Sequence, residues 1–153
     1  MKSELNPFYI TGFTEGEGSF YVGILARKLN TGWEVRPSFS LSQNEKDTKL
    51  IFSLIEFFGC GSVRPSKTDN TVKYEVRSLK DLQDKIIPHF EKYQLQGRKK
   101  TDFQTFKKVV EIMKTNRHLE KAGLIEITKM ALTMTKNPRR IKSLESIITS
   151  LKV

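Results

Sequence analysis

The run Ile10-Thr11-Gly12-Phe13-Thr14-Glu15-Gly16-Glu17-Gly18-Ser19-Phe20 limits what this chain can fold into more than any other stretch. Asn6-Pro7 just before it starts a helix, a polar cap followed by a proline whose missing N–H is not needed in the first turn. The helix is expected from about Pro7 to Thr14, with Gly16 and Gly18 ending it. Gly12 inside it costs about 1 kcal/mol of helix propensity relative to alanine, so its presence marks a close packing contact. Small residues on a short helix let two such helices approach closely. Glu17 then lies at the helix end, where a carboxylate has the right oxygen chemistry for a hard divalent cation. Read alone, the same string also fits a plain helix-to-strand turn with solvated acids.

Ser19 to Arg27 alternates as a strand, with Phe20, Val22 and Ile24 on one face and Ser19, Tyr21, Gly23 and Leu25 on the other. After the turn Lys28–Gly32, a second strand runs from Trp33 to Ser42. Its faces are Val35, Pro37, Phe39 and Leu41 against Glu34, Arg36, Ser38, Ser40 and Ser42, with Pro37 suited to an edge. Asp47 to Phe58 has helical spacing and is stopped by Gly59-Cys60-Gly61. Short strands follow at Ser62–Pro65 and Val72–Arg77, joined by a polar loop. Ser78 caps a helix from Leu79 to Ile87, and Pro88 opens a new segment. Helices are expected over Asp102–Thr115, Ala122–Met134 and Ile141–Leu151. This order predicts an α+β domain with an antiparallel sheet.

Charge narrows the partner. Lys and Arg number 27 against 17 Asp and Glu, a net +10 that favours nucleic acid or an acidic membrane surface. The 153 residues suit one domain, and 37% hydrophobic with 29% charged residues is ordinary globular composition. No stretch approaches the roughly 18 apolar residues of a membrane-spanning helix. Cys60 is the single cysteine, which excludes an intramolecular disulfide and a cysteine-based zinc site. The start MKSELNPFY has neither a signal-peptide core nor the look of an Arg-rich transit peptide. The expectation is a protein that is intracellular, or made in the compartment where it acts.

The Ile10–Phe20 run resembles the LAGLIDADG motif of homing endonucleases, with the Ser-Phe that commonly follows it. The glycines fall at the motif's glycine positions, both acidic positions carry glutamate, and Gly16 stands for a small alanine. Phe39-Ser40-Leu41-Ser42-Gln43-Asn44-Glu45-Lys46-Asp47 resembles the family's second strand with its Gln near the catalytic centre. Phe57-Phe58-Gly59-Cys60-Gly61-Ser62-Val63 resembles its glycine turn. Asp84–Phe90 and Leu95-Gln96-Gly97-Arg98-Lys99 resemble the segments leading to a lysine near the cleavage site. His118–Leu124 matches a late element of fungal-organelle members. The likeness runs from Asn6 to Pro138, and the tail from Arg139 matches nothing assigned.

The resemblance implies an αββαββα fold whose curved antiparallel sheet is a DNA-binding saddle, with extra C-terminal helices. It divides the chain into an endonuclease domain over 1–138 and a helical tail over 139–153. One motif copy implies a homodimer paired through the motif helix, with Thr11, Gly12 and Glu15 at the interface, or else a fragment or symmetric version of a two-motif enzyme. Glu17, Gln43 and Lys99 would be catalytic, and Glu17 with the Gly16 carbonyl would hold Mg²⁺, for which Ca²⁺ or Mn²⁺ can substitute. Arg98, Lys99 and Lys100 are consecutive, so the lysine register stays open. The polar strand faces offer Tyr21, Arg27, Lys28, Arg36, Ser38, Ser40, Arg64, Ser66, Lys67, Lys73, Glu75 and Arg77 for contact with double-stranded DNA. Any of these is also compatible with ordinary solvated surface. Trp33 reads as a packing or loop residue, and His89 and His118 as structural.

The implied activity is metal-dependent, sequence-specific double-strand cleavage at a long near-palindromic site, leaving 3′ overhangs. Neither a membrane nor a small-molecule substrate is expected, and a mitochondrion or other organelle is the implied location. The rival readings are an RNA-splicing maturase and a non-cleaving DNA-binding protein on the same fold.

Overall fold

The computed structural model describes residues 4–153; residues 1–3, part of the stretch read for a leader, lie outside the described residues. The chain divides into two compact units that alternate in sequence. The first takes in the segment ending at Phe20 and Ser38–Phe103, and the second takes in Tyr21–Pro37 and Gln104–Val153.

In the first unit, α1 (Pro7–Glu17) starts as foreseen, with the Asn6 side chain accepting from Phe8 N at 2.8 Å. It runs on to Glu17 rather than stopping at Thr14, because Gly16 stays helical and the Gly18 N–H closes the last turn onto the Thr14 carbonyl. A β-carbon at Gly18 would lie 2.5 Å from the Thr14 methyl, so only glycine permits this exit. Strands β1 (Gly18–Ala26) and β2 (Trp33–Asn44) follow, then α2 (Thr48–Phe58), β3 (Ser62–Pro65) and β4 (Thr71–Val76). The strand order is β1-β2-β4-β3, with β4 antiparallel to both β2 and β3. The expected α+β class and antiparallel sheet are thus found. Pro37 precedes the part of β2 paired with β4, which begins at Phe39, so its place is edge-like within an inner strand.

Gly61, at φ +93°, faces the Tyr74 ring so closely that a β-carbon would sit 2.5 Å from it. The Tyr74 hydroxyl in turn donates to the Cys60 carbonyl at 2.8 Å, which fixes the turn between α2 and β3. Helical structure then continues without a break through α3 (Leu79–Asp81), a π-helical turn (Leu82–Ile86) and α4 (Ile87–Lys92). Pro88 does not open a new segment. It stands in the first turn of α4, directly after the π-helical turn. The core of this unit is aromatic: Phe20, Phe39, Phe58, Phe90 and Phe103 contact one another at ring separations of 5.2–6.1 Å.

In the second unit, the outer parts of β1 and β2 meet at a turn closed by Arg27 N and the Gly32 carbonyl. Helix α5 (Lys99–Lys114), most of it in this unit, is followed by α6 (Lys121–Thr133) and α7 (Pro138–Leu151). Leu144, Ile147, Ile148 and Leu151 of helix α7 are buried, and the helix packs on α6.

Candidate functional site

Helix α1 turns one face inward and leaves the other bare. Ile10, Thr11 and Thr14 are buried. The Thr11 hydroxyl donates to the Tyr93 carbonyl at 2.8 Å, so its oxygen is left to accept from His89 Nε2 at 3.2 Å. That assigns the His89 proton to Nε2. Burial pushes the His89 pKa down to about 4, and the ring is a neutral part of the core, in keeping with a structural role. The Thr11 side chain, expected at a helix interface, is hydrogen-bonded inside its own chain. Gly12 and Gly16 lie on the opposite, exposed face, where a β-carbon on either would meet nothing within 4 Å. Phe8 and Tyr9, on the same helix, are 68% and 47% exposed. The contact that Gly12 was expected to mark is thus not made within this chain.

The two acids of the motif have different employment. Glu15 Oε2 accepts from the backbone N–H groups of Gln96 and Gly97 at 3.0 and 2.9 Å, which ties the loop before α5 to the end of α1. Glu15, also expected at the interface, thus acts as a clip within its own chain. Lys99 Nζ donates to the Glu15 carbonyl at 3.0 Å, so of the three consecutive bases it is Lys99 that reaches the helix end. A cation there complements the partial negative charge of a helix C-terminus. Glu17 is exposed, and its side chain makes no hydrogen bond or ion pair with any described residue. Gln43 is half-buried near the end of β2, its Oε1 accepting from Asn44 N at 3.0 Å. Neither Gln43 nor Lys99 hydrogen bonds to Glu17 among the described residues.

The donors at this helix end suit a hard cation in kind but not in number. The Glu17 carboxylate and the carbonyls of the last helical turn are oxygen ligands of the type Mg²⁺ takes. Among the described residues no group of three His, Cys, Asp or Glu side chains comes together. One chain would thus supply only part of a coordination sphere, which Mg²⁺ ordinarily completes with water and phosphate oxygens.

On the strand face of the first unit, the register sets Ser40 opposite Glu75 and Ser42 opposite Lys73, with Ser62 and Arg64 beside them on β3. Ser38 and Ser40 are themselves nearly covered. Glu75 is only 6% exposed and binds Arg64 at 2.6 Å, Arg77 at 2.7 Å and Lys73 at 3.5 Å. Its carboxylate, offered by the sequence for DNA contact, is committed to three basic side chains. Ser66 and Lys67 lie in the loop after β3, the first half-buried and the second exposed.

In the second unit, Glu34 binds Arg27 at 2.9 Å and Arg36 at 3.1 Å. Hydrogen bonds from Arg36 and then Arg27 hold its carboxyl below the usual carboxylate range. Lys28 is exposed in the turn and Trp33 is half-buried. Tyr21 is 45% exposed, and Arg140 of α7 stacks on it. Arg140 was absent from every sequence expectation. The contact spans 119 positions, and nothing local to Arg140 signals it.

A family model for LAGLIDADG endonucleases matches residues 10–110, which takes in most of the motif helix, the sheet and most of α5. The chain belongs to the LAGLIDADG endonuclease family. The chain is 41% identical, over 80% of its length, to "Probable intron-encoded endonuclease 2" of Neurospora crassa, and covers 28% of that relative. Among solved structures, the homing endonuclease I-TnaI is 34% identical, covers 99% of both chains and superposes with a TM-score of 0.89. The LAGLIDADG homing endonuclease I-SmaMI, bound to cleaved DNA, is 35% identical with a TM-score of 0.86. That match covers 95% of this chain and 50% of the other. This LAGLIDADG chain thus spans well under half of the curated relative and half of one structural neighbour. No helix among the described residues is long and apolar enough to cross a membrane.

Proposed function

We propose that this LAGLIDADG chain is one half of a metal-dependent, sequence-specific DNA endonuclease, in which two motif helices lie side by side and each delivers a Glu17. The observation that carries the reading is at α1: a carboxylate without a partner among the described residues ends a helix whose glycine face is open. An open face of small residues suits close approach of a second such helix. The pair is read as a homodimer of this chain, with Gly12 and Gly16 at its centre.

Mg²⁺ bound there would activate water and stabilise the leaving 3′ oxygen. Glu17 and the Gly16 carbonyl would hold it, and Ca²⁺ or Mn²⁺ could occupy the same oxygens. Lys99 would set a positive charge near the phosphate undergoing attack, and Gln43 would order water. The basic strand faces would bind the duplex, with arginine and lysine on phosphates or guanine edges and serine on either. A symmetric pair reading about one turn each implies a near-palindromic site of roughly two turns. Short 3′ overhangs are the expected product. The intron-encoded name of the Neurospora relative supports action inside an organelle, with synthesis in place.

The test is selection of cleaved sites from a randomised duplex library with Mg²⁺, alongside light scattering with and without the selected DNA. One long near-palindromic site cut by a dimer is the expected result. Intact library duplexes would remove the nuclease reading. Cleavage by a persistent monomer would remove the pairing.

A further inference from the structure

Helix α7 brings to the strand face a side chain that no motif announces. Arg140 lies in its first turn, half-buried, with the guanidinium carbon 4.4 Å from the centre of the Tyr21 ring. Its Nη1 donates to the Tyr21 hydroxyl at 2.6 Å, and its Nη2 donates to the Val22 carbonyl at 2.5 Å. One planar group thus grips the ring face, the phenol oxygen and the strand backbone together. A guanidinium does this because it combines a rigid fork of N–H donors with a flat face that stacks, and a lysine ammonium has neither.

The clamp is itself held. Asn137 caps α7 by accepting from Arg139 N and Arg140 N at 3.0 and 3.3 Å, and Pro138 occupies the first turn. The buried stripe from Leu144 to Leu151 anchors the rest of the helix. On the other side, β1 is an edge strand, so a carbonyl on its open side has no strand partner, and Arg140 takes the one at Val22.

The consequence is chemical as well as geometric. A phenol oxygen both accepts and donates. With Arg140 donating into it, the Tyr21 hydroxyl has its own proton left to give. We infer that Arg140 is a positioning residue of the DNA-reading face: it locks Tyr21 in one orientation and commits its hydroxyl as a donor toward an acceptor atom on a base edge. This rests on the DNA-endonuclease reading above.

Two measurements on the full chain test it. The first is NMR relaxation of a ¹³C-labelled Tyr21 ring without DNA. The ring should be ordered in the wild type and mobile in Arg140→Ala and Arg140→Lys; equal order in all three overturns the clamp, whatever the protein binds. The second is binding to every single-base-pair variant of the selected target. Arg140→Lys and Tyr21→Phe should each lose about tenfold in discrimination, at the same one or two base pairs, with an unchanged salt dependence. Uniform weakening on all sequences with a shallower salt slope would make Arg140 a phosphate contact and overturn the proposal. If the wild-type chain binds no duplex, the nuclease reading fails and the base-reading role fails with it, while the relaxation result still reports on the clamp.

Discussion

Glu17 at the end of α1 has no protein partner among the described residues, whereas Glu75 on β4 is buried and holds Arg64, Lys73 and Arg77. Each region carries unbalanced charge, of opposite sign. On the strand face the cations outnumber the acid that orders them, and the excess positive charge suits an external anion. At the helix end the neighbouring acid, Glu15, is consumed by backbone N–H groups, and the carboxylate left over suits an external cation. Cutting a phosphodiester needs both, an anion held and a cation placed. The two regions also differ in stiffness: a buried hub fixes its partners, while an exposed carboxylate stays free to adjust to an incoming ligand.

The sharpest way to break this contrast is Glu17→Gln. It keeps the size and one oxygen ligand but removes the charge, so cleavage with Mg²⁺ should fall by more than about a hundredfold, beyond what loss of an outer-shell partner costs. Gel-shift binding in Ca²⁺ should hold or tighten. Wild-type cleavage by the variant would end the metal assignment, and loss of both functions would make Glu17 a residue of the fold.

Glu75→Gln sharpens the other side. Three cations lose their common partner, yet each is exposed enough to hydrate, so denaturant unfolding should report a loss of about 1–3 kcal/mol rather than the larger penalty of a stranded buried charge. The face also gains one net positive charge, so non-sequence-specific DNA affinity should rise and its salt dependence steepen. Unchanged stability together with unchanged salt slope would mean the hub orders nothing.

His89 is a buried titratable group with no charge partner, a third case. Its folded pKa, about 4, lies below the ordinary 6.5, so the folded state favours the neutral ring. The stability this contributes is complete above about pH 6.5 and is lost as pH falls toward 4. The unfolding midpoint should decline across that window in the wild type and less steeply in His89→Phe. Parallel slopes would assign the acid sensitivity to carboxylates. The smallest effect belongs to Glu34→Gln. Its two ion pairs are solvated, so the thermal midpoint should not move measurably. A clear drop would show that an exposed hub matters as much as the buried one.

The sequence made local structure legible where the signal was short-range. Asn6-Pro7, the αL cap at Gly59 and the alternation of β2 each lie within a few residues of what they determine. Element ends slipped where glycine or proline was read as a stop. Gly16 continues α1, and Pro88 sits in the first turn of α4. Long-range commitments were invisible. Glu15 reaches Gln96 and Gly97, 81 and 82 positions away, and Arg140 reaches Tyr21 across 119. Thr11 looked available for a partner only because His89 and Tyr93, which consume its hydroxyl, lie far along the chain. Glu75 looked like one polar strand residue among many, and its burial depends on the pairing of β4 between β2 and β3.

The open face of α1 sets one position against itself. For a lone subunit, alanine at Gly12 is an improvement: there is room for the methyl, and helix propensity gains about 1 kcal/mol. Where the helix meets its own copy across a two-fold axis, any substitution is made twice at one spot, and two methyls arrive in the gap that two hydrogens had left. In the proposed pair, monomer stability and assembly would therefore select opposite residues at the same codon. A chain that gained a diverged second copy of itself would escape the doubling, because each side of the contact could then change alone.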